Sequence, residues 1–236
     1  MAGKSLGAAR MPTRLAVAAL VLLLSSGTAA YAGEDSQLWT GASATVKLDH
    51  RWRVSQEFTL RFSDNRGGLY EIESNSLLGY RFGKSATFWA GYTHDPLYSD
   101  GHHTTTEHRA REQVTVDNVA TVGPGRISLR LRTEQRWRDN VDGTGWRARP
   151  FVRYTVPLRR GGHTALTFTS EPFVNLNTTA FQTARGLDRV RNFVGISTPL
   201  FTHATAEFGY LNQHGFVRHG PDTDDHVASV NLSFSF

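Results

Sequence analysis

Twelve arginines and six glutamates recur at even spacing along this chain, and that spacing decides what chemistry they could share. Arg53, Glu57 and Arg61 form one such group, followed by Glu107, Arg109 and Arg111, then Arg130, Arg132, Glu134 and Arg136. Arg147, Arg149 and Arg153 make another, as do Arg189 and Arg191; Glu73, Glu171 and Glu207 complete the set. In an extended strand, residues two or four apart stand on one face. Inside a small barrel that face fills the lumen, where an unpaired arginine is costly and arginine–glutamate ladders between strands are expected. Two arginines per glutamate leave a surplus of positive charge. A basic constriction of this kind favours anions.

Other reactive side chains are less organised. His108 stands beside Glu107 and could act as a general base, but no serine is placed by sequence as its nucleophile. His214, His219, Asp222, Asp224, Asp225 and His226 can all ligate metals, and so can His102 and His103. Neither group has the tight ligand pairs of a zinc site. Phosphate-cradling glycine loops, nucleophile elbows and zinc-protease motifs are missing. No catalytic, metal or cofactor residue is therefore assigned.

The elements that must position the ionic face are strands. Period-two alternation marks segments 38–48, 51–62, 72–82, 86–94, 109–122, 126–137, 146–156, 164–176, 188–198 and 204–213, and a terminal strand to Phe236. Short turns at 83–85, 123–125, 159–162 and 199–201 alternate with longer polar segments at 63–68, 95–106, 139–145, 177–186 and 215–225. That short-long rhythm is the pattern of a transmembrane barrel. The fold class is therefore all-β, a transmembrane antiparallel β-barrel of about 10–12 strands. Eleven candidates are visible, whereas single-chain bacterial barrels have even counts, so twelve strands are preferred to ten. Trp39, Trp52, Trp89, Trp137 and Trp146 suit aromatic girdles at the membrane interfaces.

The two ends point to the outer membrane. Lys4, Arg10 and Arg14 precede an apolar run over 15–24, and Ala30-Tyr31-Ala32 fits a cleavage site, so residues 1–32 read as a signal peptide and 33–236 as the barrel. Ten apolar residues are too few to span a bilayer as a helix. At the other end Ala228, Val230, Leu232, Phe234 and Phe236 alternate with serine and asparagine. Phe234 and Phe236 resemble the terminal signal by which assembly machinery recognises outer-membrane barrels. The partners expected are that machinery and outer-membrane lipid.

Of 26 basic and 21 acidic residues, the leader holds three basic and no acidic ones, so the remainder carries a surplus of only about two positive charges. Nucleic acid is not implied. The absence of cysteine excludes disulfide staples and thiol chemistry.

Leu38-Trp39-Thr40, Glu107-His108-Arg109 with Glu112-Gln113, Arg130-Leu131-Arg132 with Glu134, Glu171-Pro172-Phe173 and Gly209-Tyr210-Leu211-Asn212-Gln213 occur in this order. Together they resemble the bacterial domain-of-unknown-function family 2490 across nearly the whole barrel segment. That resemblance implies an outer-membrane barrel and brings no activity or catalytic residues. A passive role is expected, as a small channel or envelope protein. The alternatives are a lipid-active enzyme, of lipase or lipid A deacylase type, and an outer-membrane partner for an exported polymer or protein.

Overall fold

A computed structural model of the protein describes residues 33–236; the leader expected over 1–32 lies outside the described residues. Eleven strands follow one another around a closed barrel. They are β1 (Glu34–Lys47), β2 (Trp52–Ser63), β3 (Gly68–Phe82), β4 (Ala86–Ser99), β5 (His102–Val122), β6 (Gly125–Arg138), β7 (Val141–Pro157), β8 (Ala165–Asn175), β9 (Gly186–Phe201), β10 (Ala204–Gly215) and β11 (Thr223–Ser235). A 3-10 turn, Asp64–Arg66, joins β2 to β3. Every neighbouring pair is antiparallel except the seam.

There β1 and β11 run parallel, with Leu38 opposite Ala228 and Ala42 opposite Leu232. This corrects the expectation of an even count. An odd number of strands joined by hairpins must close with first and last running the same way. The terminal residue helps make the seam: Phe236 N–H donates to Thr45 and Lys47 N–H donates to Phe236, at 2.9 and 3.0 Å.

Two segments expected as loops are strand. β4 and β5 continue to a tight Asp100-Gly101 turn, with φ of 50° and 77°, the left-handed geometry that suits an Asp-Gly hairpin. Likewise β6 and β7 meet across Asp139-Asn140. These extensions carry polar residues on both faces, so no apolar alternation marks them. At the opposite end, the Asp49 carboxylate accepts the Arg51 and Trp52 N–H groups at 2.6 Å. Those two bonds hold its carboxyl below the usual carboxylate range.

Alternation sorts the side chains inside and out. Phe58, Leu78, Phe88, Leu131, Val152, Phe168, Val194 and Val230 are exposed on the outer wall. Polar outward residues satisfy one another: Gln56 bonds Ser74 and Ser76, and Thr133 bonds Glu112. Trp52 packs edge-on against Tyr80 there. Trp39 and Trp89 depart from the girdle expectation. Trp39 is buried, and Trp89 lies across Gly79, where a Cβ would come within 2.6 Å of its ring. A glycine there makes room for the indole.

Candidate functional site: an arginine-rich lumen

The interior is organised around a few carboxylates, each shared by several guanidinium groups. Nearest the long-loop end, Glu107 is 1% exposed. It accepts Arg109 Nε at 2.6 Å, Arg136 through Nε at 2.8 Å, and Arg138 Nε at 2.8 Å. Glu134, on β6, lies between Arg147 at 2.6 Å, Arg149 at 2.7 Å and Arg132 at 3.7 Å. Glu171 takes Arg149 in a two-pronged grip, 3.0 Å on each prong, and also bonds Arg130. Such forked pairs fix orientation as well as charge.

Other bonds link neighbouring strands or cross the lumen. Arg109 joins Glu73 on β3 at 3.3 Å and Asp95 on β4. Arg61 grips both Glu71 and Glu73. Towards the short-turn end, Arg111 crosses from β5 to Glu57 on β2 at 3.0 Å, and Arg153 crosses from β7 to Glu207 on β10. A hydrated open pore does not leave room for such crossings. The lumen is filled with paired charge.

Of the twelve arginines expected in the lumen, Arg191 and Arg53 stand apart from this pairing. Arg191 bonds the Gln213 side chain through Nε at 2.7 Å. Its guanidinium lies 4.5 Å from the Trp39 ring and 4.6 Å from the Phe173 ring, and no carboxylate lies within bridging distance among the described residues. Arg53, near Trp89, has a buried Nε with no partner. Arg189, at the rim, pairs with Asp188 at 2.8 Å. Phe173, 1% exposed, is the apolar pivot of the site. Arg149, Arg147 and Arg189 also stack on it at 4.1, 5.1 and 5.8 Å. Cations over an aromatic face are attracted by its quadrupole.

Above this pivot a cavity of about 150 Å³ opens towards the long-loop end, lined by nine arginines and five carboxylates. The surplus identified in the sequence is thus concentrated at one mouth. Gln182, from the loop after β8, folds in to accept Arg136 at 2.9 Å and is 3% exposed.

The structure brings Arg61, Arg109, Arg136, Arg149, Arg189 and Arg191 to this cavity. Arg53, Glu57, Arg111, Arg153 and Glu207 lie towards the other end, and Arg130, Arg132, Glu134 and Glu171 between. Asp95, Gln113, Trp39 and Phe173 also belong to the network. Asp95 falls in a segment expected as loop. Phe173 shares the parity of Glu171 along β8, a signal sufficient to have found it; Gln182 carries no periodic signal.

Candidate chemistry outside the lumen resolves differently. On the outer wall His108 bonds the Tyr92 hydroxyl and, at 3.2 Å, Asp139. Tyr210 and His226 repeat the Tyr–His contact on β10 and β11 at 2.6 Å. His214 pairs with Asp222 and Asp224 at 3.3 and 3.0 Å. Glu71, Glu73 and Asp95 bring three carboxylates within 4.8 Å, but Arg61 and Arg109 already engage them.

A family model described as a protein of unknown function (DUF2490) matches residues 36–224. An uncharacterised protein of Methylorubrum extorquens is 29% identical over 223 residues, covering 93% of this chain and 96% of the relative. No solved structure matches the chain.

Proposed function

This chain belongs to the DUF2490 family of proteins of unknown function, and from that premise we propose that it is an integral outer-membrane β-barrel whose narrow, arginine-rich lumen favours anions. The observation that carries the reading is the mouth cavity, with nine arginines to five carboxylates. Arg191 presents its charge there without a carboxylate partner. Closed strands and an apolar outer wall suit a bilayer, where open sheet edges are excluded. Residues 1–32 act as the export signal, and the strand ending in Phe234 and Phe236 is read by the assembly machinery. In this orientation the long loops and the cavity face outward.

The lumen admits small anions by rearranging ion pairs, so conduction is slow and selective. The test is single-channel recording on the refolded barrel in planar bilayers under a salt gradient. Small steps whose reversal potential favours anions, shifted towards neutrality by Arg191→Gln, are the expected result. Cation preference, or a folded barrel without steps, would overturn the channel reading.

A further inference from the structure

The β7–β8 wall carries a gap that the anion path does not use. The ladder pairs Arg147 with Asn175 and Ala148 with Val174, then omits three consecutive rungs and resumes at Val152–Ser170. The middle omitted rung would place Pro150 opposite Pro172. Bonded rungs recur in twos along an antiparallel pair. The Leu176 N–H to Trp146 bond and the Leu158 N–H to Thr164 bond fix their phase. By that count Pro150–Pro172 falls where two residues exchange both hydrogen bonds, and neither proline has a donor. The strands are therefore unlatched from residue 148 to 152, about 13 Å at strand rise. Proline is normally kept out of central strands for this reason.

What lies on each side of the gap is chemically distinct. Outside, a groove of about 730 Å³ is lined by Val116, Leu129, Leu131, Val152 and both prolines, a size within the range of roughly 300–1,000 Å³ typical of small-ligand sites. Arg130 and Phe151, whose side chains belong to the inner face, also line it, together with Ser170. Arg130 stacks on Phe151 at 4.4 Å and bonds Glu171, while its buried Nε keeps no partner. On the outer face of β7, Trp146 and Tyr154 stand four residues to either side of Pro150, placing the gap midway between the polar ends.

We propose that this gap is a lateral portal for a carboxylate-headed single-chain amphiphile. Its chain lies in the outer groove, and its head reaches Arg130 through the unlatched rungs. Charge complementarity selects an anionic head, since the one charged side chain lining the groove is the Arg130 guanidinium, with a spare donor at Nε; Ser170 adds a neutral hydroxyl. A lipid merely coating the wall would need no such head. The inference rests on the membrane reading above.

The test places the barrel in zwitterionic phosphatidylcholine nanodiscs and checks folding by its heat-modifiable gel mobility. Binding of 11-(dansylamino)undecanoic acid is then followed by fluorescence, with laurate or dodecanol as competitor. Laurate is expected to displace the probe at least tenfold more effectively than dodecanol. Pro150→Ala with Pro172→Ala restores both donors, closes the gap and weakens binding at least tenfold in a barrel that remains folded. Arg130→Gln removes the preference for laurate. Insertion without saturable binding, equal displacement by dodecanol, or unchanged binding in the double proline variant would each overturn the portal alone. Failure to insert would overturn the membrane reading and the portal with it.

Discussion

Glu134→Gln keeps the shape of the side chain and removes one charge from the most crowded part of the lumen. Glu134 is 1% exposed and is the carboxylate partner of Arg147, while sharing Arg149 and Arg132. Arg149 retains Glu171 and Arg132 retains Gln113. Arg147 is left with the Phe173 ring. Removing one partner of a buried pair costs about 3–5 kcal/mol, because the remaining charge stays desolvated. With a urea dependence near 2 kcal/mol/M, the midpoint is expected to fall by about 1.5–2.5 M. Gel mobility of the barrel in lipid vesicles across a urea series reads this directly. Asp188→Asn is the control, since its bridge to Arg189 is part-exposed and such pairs contribute about 0–1 kcal/mol. Equal midpoints for the two variants would refute the claim that shared carboxylates hold the lumen together.

Phe173→Leu removes the ring beneath four guanidinium groups and is expected to cost about 2–4 kcal/mol, at about 0.5–1 kcal/mol for each of the four cation–π contacts; an unchanged urea midpoint would count against the pivot. The chain has no cysteine, so Ser43→Cys with Ser233→Cys, opposite each other at the parallel seam, is expected to oxidise to an intramolecular disulfide. Ser43→Cys with Ser229→Cys is displaced by four residues, about 13 Å along the strand, and is expected to stay reduced; the reverse pattern would contradict the eleven-strand closure. An epitope inserted between Phe216 and Asp222 is expected to stain intact cells, and one at Gly161-Gly162 only permeabilised cells; the opposite result would invert the barrel.

Much of the architecture was legible because a barrel wall imposes parity. Arg130, Arg132, Glu134 and Arg136 share a face in the sequence and share the lumen in the structure. The same parity covers Phe173, whose role emerges only when its ring is seen among arginines from two other strands, β7 and β9. Eleven strands are legible in the sequence, and the even count fails here because hairpin pairing does not dictate the direction of the closing strands, which run parallel. The polar extensions of β4 to β7 beyond the apolar band were illegible, because neither face there has an apolar partner to impose alternation. Pro150 and Pro172 lie 22 residues apart, and each alone reads as a minor blemish in a strand. Only the register that sets them opposite each other makes a gap.

Parallel closure also fixes where the ends of the barrel emerge. Gly33 accepts a bond from Asp224 at the loop mouth, whereas Phe236 accepts one from Lys47 at the turn mouth. In an even-stranded barrel a short hairpin could join first and last strands, and the chain could be reopened elsewhere as a circular permutant. Here a joining peptide would have to travel the full height of the wall. β1 alone is 14 residues long, about 45 Å at strand rise, so the linker needs at least about 13 extended residues. Threaded outside, it would cover the apolar wall; threaded inside, it would displace the arginines. This fold therefore resists permutation, and two copies fused in tandem by a short linker would be inverted relative to one another.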